Sequence, residues 1–170
     1  MLASHIGLSK NAAASPPPSA PGLTVDVTTD QTNFNLFTAA GSPGTAKTVT
    51  VNISSGVKIR SNATGTPAFD EGTGWASGTT VIINNLGSIY GMGGAGGAGG
   101  NSGYALGSGF PGTIANTAGA AGGAGGSALK LTVLTTINNS AGEIFGGGGG
   151  GGGGNGSASW FNADSQYIFA

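Results

Sequence analysis

Nine consecutive glycines, residues 146–154, constrain this chain more than any other feature of its sequence. Glycine loses more conformational freedom on folding than any other residue and brings no side chain to a core. Such a run is therefore either a flexible tether or part of an ordered structure in which only bare backbone fits. Two other tracts bear on the choice, GMGGAGGAGG at 91–100 and GAAGGAGG at 119–126. At roughly 3.1 Å per residue in an extended three-fold helix, each of the three spans about 25–31 Å. That is close to an eight- or nine-residue strand at about 3.3 Å per residue. Tethers have no reason to match one another in length, whereas elements lying side by side do.

The expectation is that the tracts are left-handed, three-fold helices of the polyglycine II type, packed against each other. A helix of this kind makes no internal hydrogen bonds, so every buried N–H and C=O must find a partner outside it. A neighbouring glycine helix supplies those partners because no Cβ keeps the backbones apart. Gly93, Gly94, Gly96, Gly97, Gly122, Gly123, Gly146, Gly150 and Gly154 are read as structural for this reason. Alanine is the only common interruption, consistent with a methyl that points outward.

Outside the tracts the period is two. Leu23, Val25 and Val27 alternate with Thr24, Asp26 and Thr28, and Val49, Val51 and Ile53 alternate with Thr50, Asn52 and Ser54. Further strand segments are read at 79–91 and 129–146, and no helical periodicity follows residue 22. Three segments share one plan: VNISSGVKI, IINNLGSIY and TINNSAGEIF. Each has an apolar strand, an Asn/Ser turn, a glycine and a second short apolar strand, and the last has one extra residue. A divergent repeat of this kind marks stacked β-rungs. The unequal spacing of the copies leaves a small β-sandwich with hairpins as the alternative. The fold class is thus all-β, with stacked rungs or a sandwich, packed polyglycine helices and an extended N-terminal arm at 1–22. Residues 23–170 form the glycine-rich β domain.

Charge excludes several functions. The chain has 170 residues with 37 glycines, yet only five basic and six acidic residues, for a net charge of -1. No basic patch for nucleic acid exists. No segment is long and apolar enough for a membrane-spanning helix. There is no cysteine, hence no disulfide and no thiolate metal site. The segment SPPPSAPG within residues 1–22 must be extended. It is read as an arm that docks onto a neighbouring protein, with a disordered tail as the alternative. Near-zero charge does not oppose association, so a homo-oligomer is expected.

Chemistry is sparse. GMGGAG (91–96) fits the dinucleotide-binding pattern in form but runs into more glycine where a helix is required. His5 is the sole histidine, so neither a catalytic triad nor a zinc site is expected. Asp70-Glu71 is the only adjacent acidic pair. The pair is read as a solvated turn, with a ligand or calcium carboxylate as the alternative. The chain is read as no enzyme, with no cofactor and no metal. If the first two tracts run antiparallel, the segment 101–117 between them sits at one tip. Tyr104, Leu106 and Phe110 there, with Phe69 and Trp75 in the 66–78 loop, are the candidate receptor-contact residues. The alternative is that these rings fold under and cap the molecule.

These residues carry a resemblance. TVIINNLGSIYGMGGAGGAGG, the GTGWASGTT element before it and the long glycine run are similar to glycine-rich tail and tail-fibre proteins of bacteriophages. Over residues 45–154 the chain resembles the tail-fibre tip adhesins of T-even-like phages. In that family packed polyglycine helices form a rigid sandwich, and the loops between them touch the bacterial receptor. The present chain has fewer tracts and one long loop of that kind. The resemblance implies a virion protein of the tail or tail-fibre tip that recognises a bacterial surface receptor. A capsid or tail decoration protein is the alternative, and an ice-binding protein with flat Thr-rich faces a third.

Overall fold

A computed structural model describes residues 22–106, 113–114, 116–161 and 167–169. The chain climbs through four rungs. The first comprises β1 (Leu23–Val27), β2 (Gln31–Thr32) and β3 (Phe34–Asn35), followed by a single helical turn, α1 (Leu36–Ala39). The second comprises β4 (Thr48–Ile53), β5 (Lys58–Arg60) and β6 (Phe69–Asp70). The third has β7 (Thr80–Asn85) and β8 (Ser88–Tyr90), then leaves the stack through β9 (Gly103–Leu106) and β10 (Thr113–Ile114), and returns to complete itself at β11 (Leu129–Lys130). The fourth has β12 (Leu134–Asn138) and β13 (Glu143–Phe145), then departs for good through β14 (Ala158–Phe161) and β15 (Tyr167–Phe169).

Three sheets result, β1-β4-β7-β12, β2-β5-β8-β13 and β3-β6-β11. All their pairings are parallel. This settles the architecture as stacked rungs instead of a sandwich. The repeated segments of the sequence are the corners between the first and second sheets in rungs two, three and four. Their shared glycine has a physical cause. Gly56 takes φ +81° to turn the corner, and a Cβ on Gly87 would stand 2.4 Å from the Val57 carbonyl of the rung before.

Register places like on like. Val25, Val51, Ile83 and Ile137 stack in one column, and Ile59, Ile89 and Ile144 in another. Phe34 lies on Phe69 with ring centroids 5.3 Å apart, and Leu129 follows. The inward residues Val49, Val51, Ile59, Val81, Ile83 and Ile89 are fully buried. Each such burial contributes roughly 1.5–3 kcal/mol. The scarcity of charge follows from the same register, because like charges directly opposite on neighbouring strands destabilise a sheet.

Glu71 corrects the expectation of a solvated turn. It is fully buried and reaches across to the fourth rung. Its carboxylate accepts from the Thr135 hydroxyl, the Thr132 amide and, at 3.0 Å, the Val133 amide. A buried carboxylate needs such donors. Asp70 beside it pairs with Lys130 Nζ at 3.1 Å. The α1 turn was also missed. Asn35 caps it by accepting from the Thr38 amide at 2.9 Å, but four residues are too few to show a period.

The glycine tracts form the excursion. The first (91–102) leaves β8, the second (117–126) returns towards β11, and the third (146–157) leaves β13. Backbone bonds join them at every third residue. Gly94, Gly97 and Gly100 donate to Gly148, Gly151 and Gly154 at 2.7–2.8 Å. Gly150 and Gly153 donate to Gly123 and Ala120, and these two donate to Ala95 and Ala98. Donation thus circulates from first to third to second to first tract. The first and third run parallel, and the second runs against both.

Glycine is needed in one phase of three. A Cβ would fall 1.8–2.2 Å from a neighbouring carbonyl oxygen at Gly91, Gly94, Gly97, Gly100, Gly119, Gly122, Gly125, Gly147, Gly150, Gly153 and Gly156. Of the nine glycines read as structural, Gly94, Gly97, Gly122 and Gly150 stand in that phase. Gly93, Gly96, Gly146 and Gly154 have no atom nearer than 3.8 Å to such a Cβ, and Gly123 none nearer than 3.4 Å. Met92, Ala95, Ala98, Ala120, Ala121 and Ala124 all avoid the crowded phase.

Candidate functional site

The far end of the glycine bundle carries a fourth sheet, in the order β10-β9-β14-β15. Its central pair, β9 and β14, is parallel, because each strand continues one of two parallel tracts. The two flanking pairs are antiparallel hairpin partners. One relation ties this tip to the rungs. Ser88 lies opposite Glu143 at the base, and Gly103 lies opposite Ala158 at the tip. Both pairs are 55 residues apart, so the register set among the rungs passes through the bundle without a slip.

Side chains take over where the glycines end. Thr117 Oγ1 accepts from the Asn101 amide at 2.8 Å, and Asn155 Oδ1 accepts from the Gly119 amide at 3.2 Å. Asn116 Nδ2 donates to the Gly156 carbonyl at 3.3 Å. Asn101, Asn116, Thr117 and Asn155 form a polar collar that ties the three tracts just below the tip. Sequence reasoning assigned none of these residues this role, although each stands at a tract end where a turn-forming polar residue is conspicuous.

Two open clefts flank the 64–67 loop near the base of the bundle. The larger, about 660 Å³, is lined by Ala63, Thr64, Met92 and glycines and alanines of the first two tracts. The smaller, about 380 Å³, includes Pro67, Leu129 and Lys130. Neither has the converging polar side chains of a small-molecule site. Among the described residues no group of three or more His, Cys, Asp or Glu stands close enough to hold a metal ion. No helix among them is long and apolar enough to cross a membrane.

The candidate contact residues separate. Phe69 is fully buried in the core of the rungs and has no surface to offer. Trp75 is half-buried. It meets Phe37 edge-on at 5.0 Å between centroids, and its Nε1 donates to the Glu71 carbonyl at 2.9 Å. These two rings cover the loop around Glu71. Tyr104 and Leu106 belong to β9 at the tip, while Phe110 lies outside the described residues, as do His5 and the arm up to residue 21.

The family model for the phage tail fibre adhesin Gp38 matches residues 22–165. The chain belongs to the phage tail fibre adhesin Gp38 family. No curated protein and no solved structure gives a match. Membership places this adhesin in the virion, on the tail fibre, as a non-enzymatic structural protein that recognises the host receptor at the fibre tip. The readings as a capsid decoration protein or an ice-binding protein fall away. The match starts at residue 22, where the proline-rich segment ends.

Proposed function

We propose that the adhesin contacts its host receptor with the sheet at the end of the glycine bundle, and that the bundle is a rigid spacer of three-fold polyglycine helices. The constant 55-residue register carries this reading. A loose tether would not need to preserve it. The hydrogen bond at every third residue supports a three-fold helix. So does the absence of positive φ at every tract glycine. At about 3.1 Å per residue, the residues between β8 and β9 set the tip roughly 35–40 Å from the rungs. Tyr104 and Leu106 on β9, with Phe110 in the connection to β10, are the receptor-contact residues of the proposal. Tyrosine gives large contact area at low entropic cost.

Residues 1–22 remain an arm joining the adhesin to other virion proteins, distinct from the β domain that follows, and near-zero charge favours association between copies. The test is host adsorption by phage carrying the adhesin with Tyr104→Ala and Phe110→Ala, against phage with Trp75→Phe. The tip variant should adsorb at least tenfold more slowly, with the adhesin present on the fibre in normal amount. Unchanged adsorption would refute the assignment of the tip.

A further inference from the structure

The two ends of the rung stack differ in chemistry. An amide ladder runs through all four rungs of the first sheet. Asn52 Nδ2 donates to Asp26 Oδ1 at 2.7 Å, Asn84 Nδ2 to Asn52 Oδ1 at 2.9 Å, and Asn138 Nδ2 to Asn84 Oδ1 at 2.8 Å. Every member donates towards the first rung. Asp26 offers the ladder only acceptor oxygens, so the ladder is closed there, while Asp30 near that end is paired with Arg60 Nη2 at 3.4 Å. At the fourth rung the ladder ends on Asn138, whose Oδ1 is not engaged in it.

Three further observations fall on the fourth rung. Among the described residues, β12 and β13 each have a strand neighbour on one side only, as β1 and β2 do at the other end. The core is uncovered there, since Ile137 and Ile144 are half-buried where Ile83 and Ile89 of the rung below are at 0% exposure. Phe145 stacks on Tyr90 with ring planes 8° apart, yet is 53% exposed, and Leu134 is 76% exposed. No lysine, arginine or proline guards β12, whose sequence is LTTIN.

We infer that the open edge of the fourth rung, β12 and β13, is the seat of an added β-strand contributed by the tail fibre that carries the adhesin. The strand it fits places a side-chain amide opposite Asn138, donating to its Oδ1, which accepts no bond among the described residues, and an apolar or aromatic side chain opposite Phe145. This is strand addition to a sheet edge, in which main-chain bonds give affinity and alternate side chains give specificity.

A second copy fits the edge poorly. Stacked head to tail, it would bring Asp26 against Asn138 Oδ1, acceptor against acceptor. Joined edge to edge with inward residues kept inward, it would have to reverse its strands. Its glycine bundle would then point away from the host. A fibre strand meets neither objection, and membership of a tail fibre family supplies the partner.

The experiment uses full-length adhesin, adhesin-free fibres purified from phage lacking it, and no host cells, so its outcome is separate from the receptor reading. Asn138→Asp removes the amide and puts a charge at the open end, on an exposed residue. It should weaken fibre binding at least tenfold, while Asp26→Asn at the closed end leaves binding unchanged. Fibre binding should slow amide exchange in 134–145 and leave 23–27 unaffected. Normal binding by Asn138→Asp, or protection at 23–27 instead, would overturn the inference. So would a dimer of free adhesin that Asn138→Asp dissolves. So would faster exchange in 134–145 on deleting residues 1–21, since the edge would then belong to the arm.

Discussion

The rungs and the glycine bundle solve the same problem by opposite means. Both must place backbones side by side with every buried polar group paired. In the rungs, side chains set the spacing. Val, Ile and Phe columns fill the interior, Asn and Thr line the outside, and strands lie at sheet distance. In the bundle, the absence of side chains sets the spacing. Its backbones approach so closely that a Cβ on Gly150 would stand 1.8 Å from the Ala95 oxygen. One region is held by apolar burial and tolerates conservative exchange. The other is held by a periodic backbone network and tolerates nothing in one phase of three. The lesson is that backbones can be held side by side without a hydrophobic core when a register is inherited from one.

The comparison can be broken most severely by a shift of phase. Inserting one glycine between Gly150 and Gly151 breaks the 55-residue match between base and tip. The expected result is loss of the β9–β14 pairing and at least a tenfold fall in host adsorption. Adding three residues to each of the three tracts together keeps the phase and should preserve both. Next in size is Gly150→Ala, which overpacks backbone that cannot yield and should cost about 3 kcal/mol or more in urea unfolding. In the rungs, Ile83→Ala leaves a cavity and should cost roughly 2–5 kcal/mol, with the glycine bundle otherwise unchanged in its amide spectrum. The smallest effect sharpens the contrast. Gly151→Ala, one residue from Gly150, meets no atom within 4 Å. It should be neutral or stabilise by up to about 1 kcal/mol, by restricting the unfolded chain.

Much of this was legible in the sequence because both regions are periodic. The alternation in TVTVNI and the shared corner plan announced the rungs, and the matched tract lengths announced the bundle. The phase of three was also there to read. Gly94, Gly97 and Gly100 are uniform while Met92, Ala95 and Ala98 share another phase. What could not be read was contact between distant segments. Glu71 looked like a solvated turn because its donors, Thr132, Val133 and Thr135, stand some sixty residues away. Phe69 looked like a loop aromatic because nothing local reveals that Phe34 and Leu129 stack on either side of it. The ladder from Asp26 to Asn138 was hidden for the same reason, since its members become neighbours only through the register.

Amide hydrogen exchange across 146–157, read residue by residue, tests the central claim most directly. Gly147, Gly150, Gly153 and Gly156 donate to the second tract. They should exchange slowly, while Gly148, Gly149, Gly151 and Gly152 between them exchange fast. Uniformly rapid exchange through the run would show a loose tether and contradict the account.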